Sequence, residues 1–207
     1  MLHSSRKNKR GLSLPDMAPF AGLIFLIVVF YALSSSFKRT EFGIVSNDQL
    51  PFSEIRNRGK IPENCTAITS LDTENQLSFA VDCPAIQSVA IQQVALQHGV
   101  NLTFSQKAEL KTLPFLATAV ENLPELLSLH GYQYRQVIEL NSRAPLNEQQ
   151  LAECLAAAKS CTKTLLHTPI YFAFKISPEV RMAHVIQLFD LHQSLGINRF
   201  TLLTQGK

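Results

Sequence analysis

Beyond residue 16 the sequence lacks any surplus of basic charge. The 207-residue chain holds 19 Lys/Arg and 16 Asp/Glu. Arg6, Lys7, Lys9 and Arg10 precede Met17 with only Asp16 against them, so the net charge of +3 sits in a short N-terminal tail and the remainder cancels. A nucleic-acid-binding body, which needs a basic face, is excluded. Ten prolines and eight glycines are too few for a collagenous or low-complexity chain. No Gly-rich phosphate loop, Ser-His-Asp order or paired-carboxylate arrangement stands out, so neither an enzyme nor a cofactor is expected. His98, His130, His167, His184 and His192 are scattered, and each reads as a surface or rim histidine.

Charge is also missing between Asp16 and Lys38, where 21 residues read MAPFAGLIFLIVVFYALSSSF. As a helix this run covers roughly 31 Å, the thickness of the hydrocarbon core. It predicts a transmembrane helix over 17–37, and no other run in the chain is as long and apolar. The basic tail, 1–16, then lies in the cytoplasm, and residues from 38 lie outside. A cleavable signal peptide is the alternative, with Ala32-Leu33-Ser34 as a small-x-small cleavage site. The run exceeds a signal peptide's apolar region of about 7–15 residues, and Pro19 and Gly22 are unusual there. Under either reading the rest of the chain is exported.

Cys65, Cys83, Cys154 and Cys161 all lie beyond this run. Four cysteines in an oxidising compartment suggest two disulfides, with three connectivities open. Residues 65–83, CTAITSLDTENQLSFAVDC, read as two alternating strands around a turn. Pairing 71 with 77 sets 69 against 79, 67 against 81 and Cys65 against Cys83, provided the loop has five residues; a four-residue loop misses this register. Cys154 and Cys161 would be roughly 10 Å apart within one helix, too far to bridge. They can join only if that helix ends near Lys159-Ser160 and the chain doubles back. A second disulfide, Cys154–Cys161, is therefore expected on that condition, with free thiols as the alternative. A metal site of Cys154, Cys161 and His167 matches no compact zinc spacing and lacks a fourth ligand, so no metal is expected.

The exported part is predicted to be α+β. Residues 38–64 read as a linker, with a short strand at 42–45. A first subdomain, 65–132, opens with the hairpin. It continues with a helix over about 85–98 that Gly99 stops, a strand at 100–104, and short helices around Leu113–Val120 and Pro124–His130. A second subdomain, 133–207, opens with a strand at 133–140. Asn147 then caps a helix, with Gln150 in capping-box spacing, that runs to about Lys159. A strand at 169–176, a helix at 179–195 and a closing strand at 197–204 follow. HGVNLTF (98–104) and LGINRFTLL (195–203) share helix, Gly, β-branched residue, Asn and strand, which suggests two divergent β-α-β units. Asn64-Cys65-Thr66 and Asn101-Leu102-Thr103 are glycosylation sequons that would matter only in a eukaryotic lumen.

Two stretches resemble the ExbD/TolR family, the single-span partners of proton-driven inner-membrane motors. The first is a basic tail leading into Asp16-Met17-Ala18-Pro19 and an apolar run that ends Ser34-Ser35-Ser36-Phe37-Lys38. It is similar to the family's D-M-T-P-x-x-D opening. The second is residues 169–204, which look like the end of the family's periplasmic domain. Together they cover about 60 of the 207 residues. The resemblance implies one transmembrane helix, then a periplasmic domain of mixed sheet and helices, which the repeat would divide into two divergent ExbD-like β-α-β units. It implies a bacterial inner-membrane location. The implied partners are an ExbB/TolQ-like multi-span ring protein, an ExbD-like paralogue or a second copy of the chain, and a TonB-like protein or the cell wall.

One departure stands out. The second Asp of the family pattern carries the proton, and that position is Gly22 here. Tyr31 is the run's only ionisable side chain, with an ordinary pKa near 10 that apolar burial raises further. A relay needs a group that gains and releases a proton at working pH. The expected role is therefore a non-catalytic, non-conducting subunit of an energy-transducing complex that supports TonB-dependent transport. The alternative is an anchored or secreted disulfide-containing binding module with no motor partner. Asp16 reads as the N-cap of the spanning helix, with proton access as the other reading. Pro19 is tolerated in the first turn. Gly22 either admits a close helix neighbour or faces lipid.

Overall fold

The structure, a computed structural model, describes residues 22, 24–30, 43–45, 50–53, 65–128 and 144–206. The chain divides into two units, Met1–Thr40 and Glu41–Lys207. In the first, Gly22 and residues 24–30 are helical. Among the described residues no helix is long and apolar enough to cross a membrane. Most of the predicted span, 17–37, lies outside the described residues, as do the tail at 1–16 and the predicted strand at 133–140.

The second unit is α+β with a mixed sheet. In chain order it contains β1 (Phe52–Ser53), β2 (Thr66–Leu71) and β3 (Leu77–Val81), then α1 (Pro84–Gln97), α2 (Phe104–Leu110), a 3₁₀ turn (Val120–Asn122) and α3 (Leu123–Leu126). After these come α4 (Glu148–Leu165), β4 (Tyr171–Ile176), α5 (Met182–Ser194), β5 (Thr201–Leu202) and β6 (Gln205–Gly206). The main sheet has the order β3-β2-β4-β5. β2 runs antiparallel to β3 and parallel to β4, and β4 runs parallel to β5. β1 and β6 form a separate parallel pair.

The β2–β3 hairpin has the predicted register: Leu71 faces Leu77, Thr69 faces Phe79 and Ala67 faces Val81. Its loop is fixed by Asp72, whose Oδ1 accepts from the amides of Glu74 (2.9 Å) and Gln76 (2.7 Å). Asn75 takes the left-handed conformation, φ 60°, which asparagine tolerates better than most side chains.

Alternation divides the sheet into two faces. Ala67, Leu71, Phe79, Phe172, Phe174 and Ile176 face the main core with α1 and α4. Ile68, Ala80 and Ala173 face a second cluster with Phe115, Ala117 and Ile44. Phe79, Phe174, Leu151 and Leu155 are fully buried, each stabilising the fold by about 1.5–3 kcal/mol through burial. The sheet runs across the predicted border at residue 132: β2 pairs along its whole length with β4, so the two expected subdomains share one sheet.

Several local expectations are corrected. Residues 100–103 form no strand; Thr103 caps α2 instead, in a capping box with Gln106. The T-x-x-Q spacing was the visible signal. Residues 113–119 are extended rather than helical. Leu116 exchanges both backbone hydrogen bonds with Phe79, each 2.7 Å, and Leu146 donates to Ala117. The open edge of β3 needed partners for its N–H and C=O groups, and this segment supplies them. Residues 43–45 form bends, not a strand.

α4 runs past Lys159 to Leu165. Nothing between Ala156 and Leu165 breaks a helix, and the Thr162 hydroxyl bonds back to the Ala158 carbonyl at 2.8 Å. Of the expected closing strand, Thr201 and Leu202 pair with β4, and the Leu203 amide donates to the Phe174 carbonyl at 2.8 Å.

The suspected repeat has a local explanation. Gly99 and Gly196 both adopt positive φ, 74° and 68°. Val100 N–H reaches Ala95 O (2.7 Å) and Ile197 N–H reaches His192 O (3.0 Å). Gly99 and Gly196 themselves donate to Leu96 and Gln193. Both are Schellman helix ends, in which glycine followed by an apolar residue is the common solution. The chain then diverges, into the capped helix α2 in one case and towards β5 in the other.

Candidate functional site

Asp16 and Pro19, expected at the opening of the spanning helix, lie outside the described residues. Gly22 is helical and exposed, and a Cβ added there would meet nothing within 4 Å. Residues 24–28 and Phe30 are likewise exposed within their unit.

Cys65 and Cys83 are joined by a disulfide, with Cα atoms 5.5 Å apart. The bond ties the open end of the hairpin to the start of α1, which Cys83 precedes as N-cap residue. Asp82 beside it accepts from the Thr66 amide at 2.6 Å. Burial pushes the Asp82 carboxyl above its ordinary value, and the Thr66 hydrogen bonds oppose this. Cys65, Cys83 and Asp82 are the one group among the described residues close enough to share an ion. Both sulfurs are committed to the disulfide, so the group offers no thiolate pair.

Cys154 and Cys161 are free and buried on α4. They lie two turns apart on one helix, about 10 Å by helical rise, which rules out the bridge that a doubled-back chain would have allowed. Cys161 Sγ donates to Gln93 Oε1 of α1 at 3.7 Å. Burial raises the pKa of both thiols, which suppresses the reactive thiolate. Cys154, Cys161 and His167 do not come within ligand distance of one another.

His192 corrects the rim reading, for it is almost completely buried. Its Nδ1 lies 2.9 Å from the Leu188 carbonyl, which can only accept, so the proton sits on Nδ1. Nε2 then accepts from the Thr69 hydroxyl at 3.2 Å. Phe172 and Phe174 meet the ring edge-on, with centroids 6.4 and 4.5 Å away. Burial lowers the imidazole pKa, against a smaller opposing effect of the Leu188 hydrogen bond. The signal in the sequence was helical spacing, since His192 continues the stripe of Val185, Leu188 and Phe189.

His98, at the end of α1, sits between two carboxylates. Its Nε2 is 2.5 Å from Glu153 of α4, and its Nδ1 is 3.2 Å from Glu121 of the 3₁₀ turn. These contacts, the Glu153 hydrogen bond foremost, raise its pKa. Gln150 donates to both oxygens of Glu121 at 2.9 and 2.8 Å and accepts from the Val120 amide. With both ring nitrogens engaged, His98 is built as a clasp between three elements rather than as a base with a free lone pair.

On the opposite sheet face Ser78, Ser70 and Lys175 form one cross-strand row, and all three are buried. The Ile44 amide donates to Ser78 Oγ at 3.3 Å. Gly43, at φ 97°, passes so close that a Cβ would overlap Ser70 Oγ. Residues 43–45 are thereby held over the sheet. No family model, curated protein or solved structure matches the chain.

Proposed function

We propose that the chain is a membrane-anchored, non-catalytic subunit of an ExbB/ExbD- or TolQ/TolR-like energy-transducing complex. Residues 17–37 span the bacterial inner membrane, and the Glu41–Lys207 unit lies in the periplasm. The observation that carries the reading is an uncharged run of 21 residues behind a basic tail, followed by an independent α+β unit. Two features of that unit support it. The disulfide fits an oxidising compartment. The β4-α5-β5 unit is a parallel strand pair joined by a helix, the order the family resemblance implies at this end of the domain.

Gly22 replaces the proton-carrying acid, so the subunit does not itself ferry protons. It packs in an ExbB/TolQ-like ring with an Asp-bearing paralogue or a second copy, and presents its outer domain to a TonB-like protein or the cell wall. The test is purification of the full chain from membranes beside a chain lacking residues 1–37. The expected result is stoichiometric recovery of a multi-span ring protein with the full chain only. A truncated chain that keeps full function would favour the second reading, an anchored binding module without a motor. The closed, disulfide-tied unit is what makes that reading worth testing.

A further inference from the structure

At the C-terminal end of α4 a cavity of about 370 Å³ is lined by Lys159, Lys163, His167, Thr168, Pro169, Ile170 and Phe172. Its floor is apolar, formed by the nearly buried Ile170 and Phe172. Its other side chains include Lys159, Lys163 and His167, and no acid lines it among the described residues. Lys159 is already engaged, donating to the Leu195 carbonyl at 3.1 Å. The side chains of Lys163 and His167 have no hydrogen bond or ion pair among the described residues.

His167 is the unusual residue. Leu166 caps α4, and the next position takes φ 53°. Glycine is the usual choice there, as at Gly99 and Gly196 on the other two long helices of this unit. A side chain in the left-handed region costs roughly 1 kcal/mol. Glycine would end the helix at lower cost; histidine tolerates the conformation better than most side chains and places an imidazole in the cavity wall.

From this we infer that the cavity binds a small amphipathic anion, a single carboxylate or phosphate head on a short apolar body. The head meets Lys163 and His167, and the body lies on Ile170 and Phe172. The volume is within the range of small-molecule sites, about 300–1,000 Å³. Charge complementarity sets the sign of the head, because among the described residues the lining offers cations and no carboxylate. The inference does not depend on the membrane role proposed above.

The test uses the full chain in lipid nanodiscs, titrated with hexanoate, hexyl phosphate, hexanol and hexylamine, with empty nanodiscs as the blank. Ligand-observed saturation-transfer NMR gives the dissociation constants. At least one anion is expected to bind tenfold or more tightly than hexanol, with hexylamine weakest, and the two anions tell the head groups apart. Lys163→Glu should weaken anion binding at least tenfold. His167→Gly should weaken it severalfold while leaving the thermal midpoint unchanged or higher, because glycine suits that backbone. Equal binding of hexanol and both anions, no anion binding at all, or wild-type affinity in folded Lys163→Glu would each overturn the proposal.

Discussion

Thr69 of β2 and His192 of α5 meet 3.2 Å apart in the main core, although 123 residues separate them in sequence. The contact joins β2, an inner strand of the sheet, to the helix between β4 and β5. It also fixes the neutral tautomer of an imidazole packed against Phe174. Thr69→Val keeps the shape and removes the donor, leaving Nε2 buried without a partner. Unfolding in urea should show a loss of about 1–3 kcal/mol. An unchanged midpoint would mean that the hydrogen bond adds nothing.

The same histidine makes stability depend on pH with a defined sign. Its folded pKa lies below the ordinary value of 6.5, so the unfolded chain takes up the proton first. Its contribution is intact above about pH 6.5 and is lost as pH falls through the lower, folded value. His192→Gln should reduce the fall in thermal midpoint between pH 7 and pH 5.

His98 acts in the opposite sense. Its folded pKa is raised, chiefly by the Glu153 hydrogen bond. Its stabilisation is complete below pH 6.5 and disappears as pH rises through the raised value. Thermal melts of His98→Gln between pH 6 and pH 9 should be flatter than those of the wild type. A wild-type slope in the variant would show that the clasp with Glu121 and Glu153 is not the source.

The disulfide closes a loop with a sequence separation of 18. Loop entropy of that size corresponds to about 3 kcal/mol. Mild reduction should lower the unfolding free energy by that order. Cys154 and Cys161, buried and with raised pKa values, should react with an aromatic disulfide reagent only after unfolding. Rapid labelling of two thiols in the oxidised native protein would contradict their placement.

Gly43 and Gly22 should respond differently to alanine. At Gly43 the Cβ would strike Ser70 Oγ, and the backbone sits at positive φ. Gly43→Ala should destabilise by about 1–3 kcal/mol. A Cβ at Gly22 meets nothing within 4 Å and the residue is helical, so Gly22→Ala should be neutral or stabilise its helix by up to about 1 kcal/mol. Circular-dichroism melts of the two variants compare them directly.

What the sequence revealed was mostly local. The register of 65–83 followed from alternation on condition of a five-residue loop, and the structure meets that condition through Asp72 and Asn75. The start of α4 followed from Asn147 and Gln150, whose amide bonds the Asn147 side chain at 2.8 Å. The failures came where tertiary demand exceeded local preference. Residues 113–119 look helical in composition but serve as edge partners for Phe79. Residues 100–103 look β-prone, yet Thr103 is used as a cap. The apparent repeat was a shared way of stopping a helix. His192 reads as a rim residue by its polar type, yet its place on the apolar stripe of α5 buries it. The cavity beside His167 could not be foreseen, since it depends on a left-handed residue bringing the end of α4 to the start of β4.

The proposed role rests on one physical point: if residues 17–37 cross a membrane, a run without an acid offers no proton carrier there. The decisive measurement is proton flux through the purified complex in liposomes, with the wild-type chain as its only ExbD-like component. The account predicts no flux above that of protein-free liposomes under an imposed potential. Sustained flux through that complex would contradict it, because no group at Gly22 can take up and release the proton.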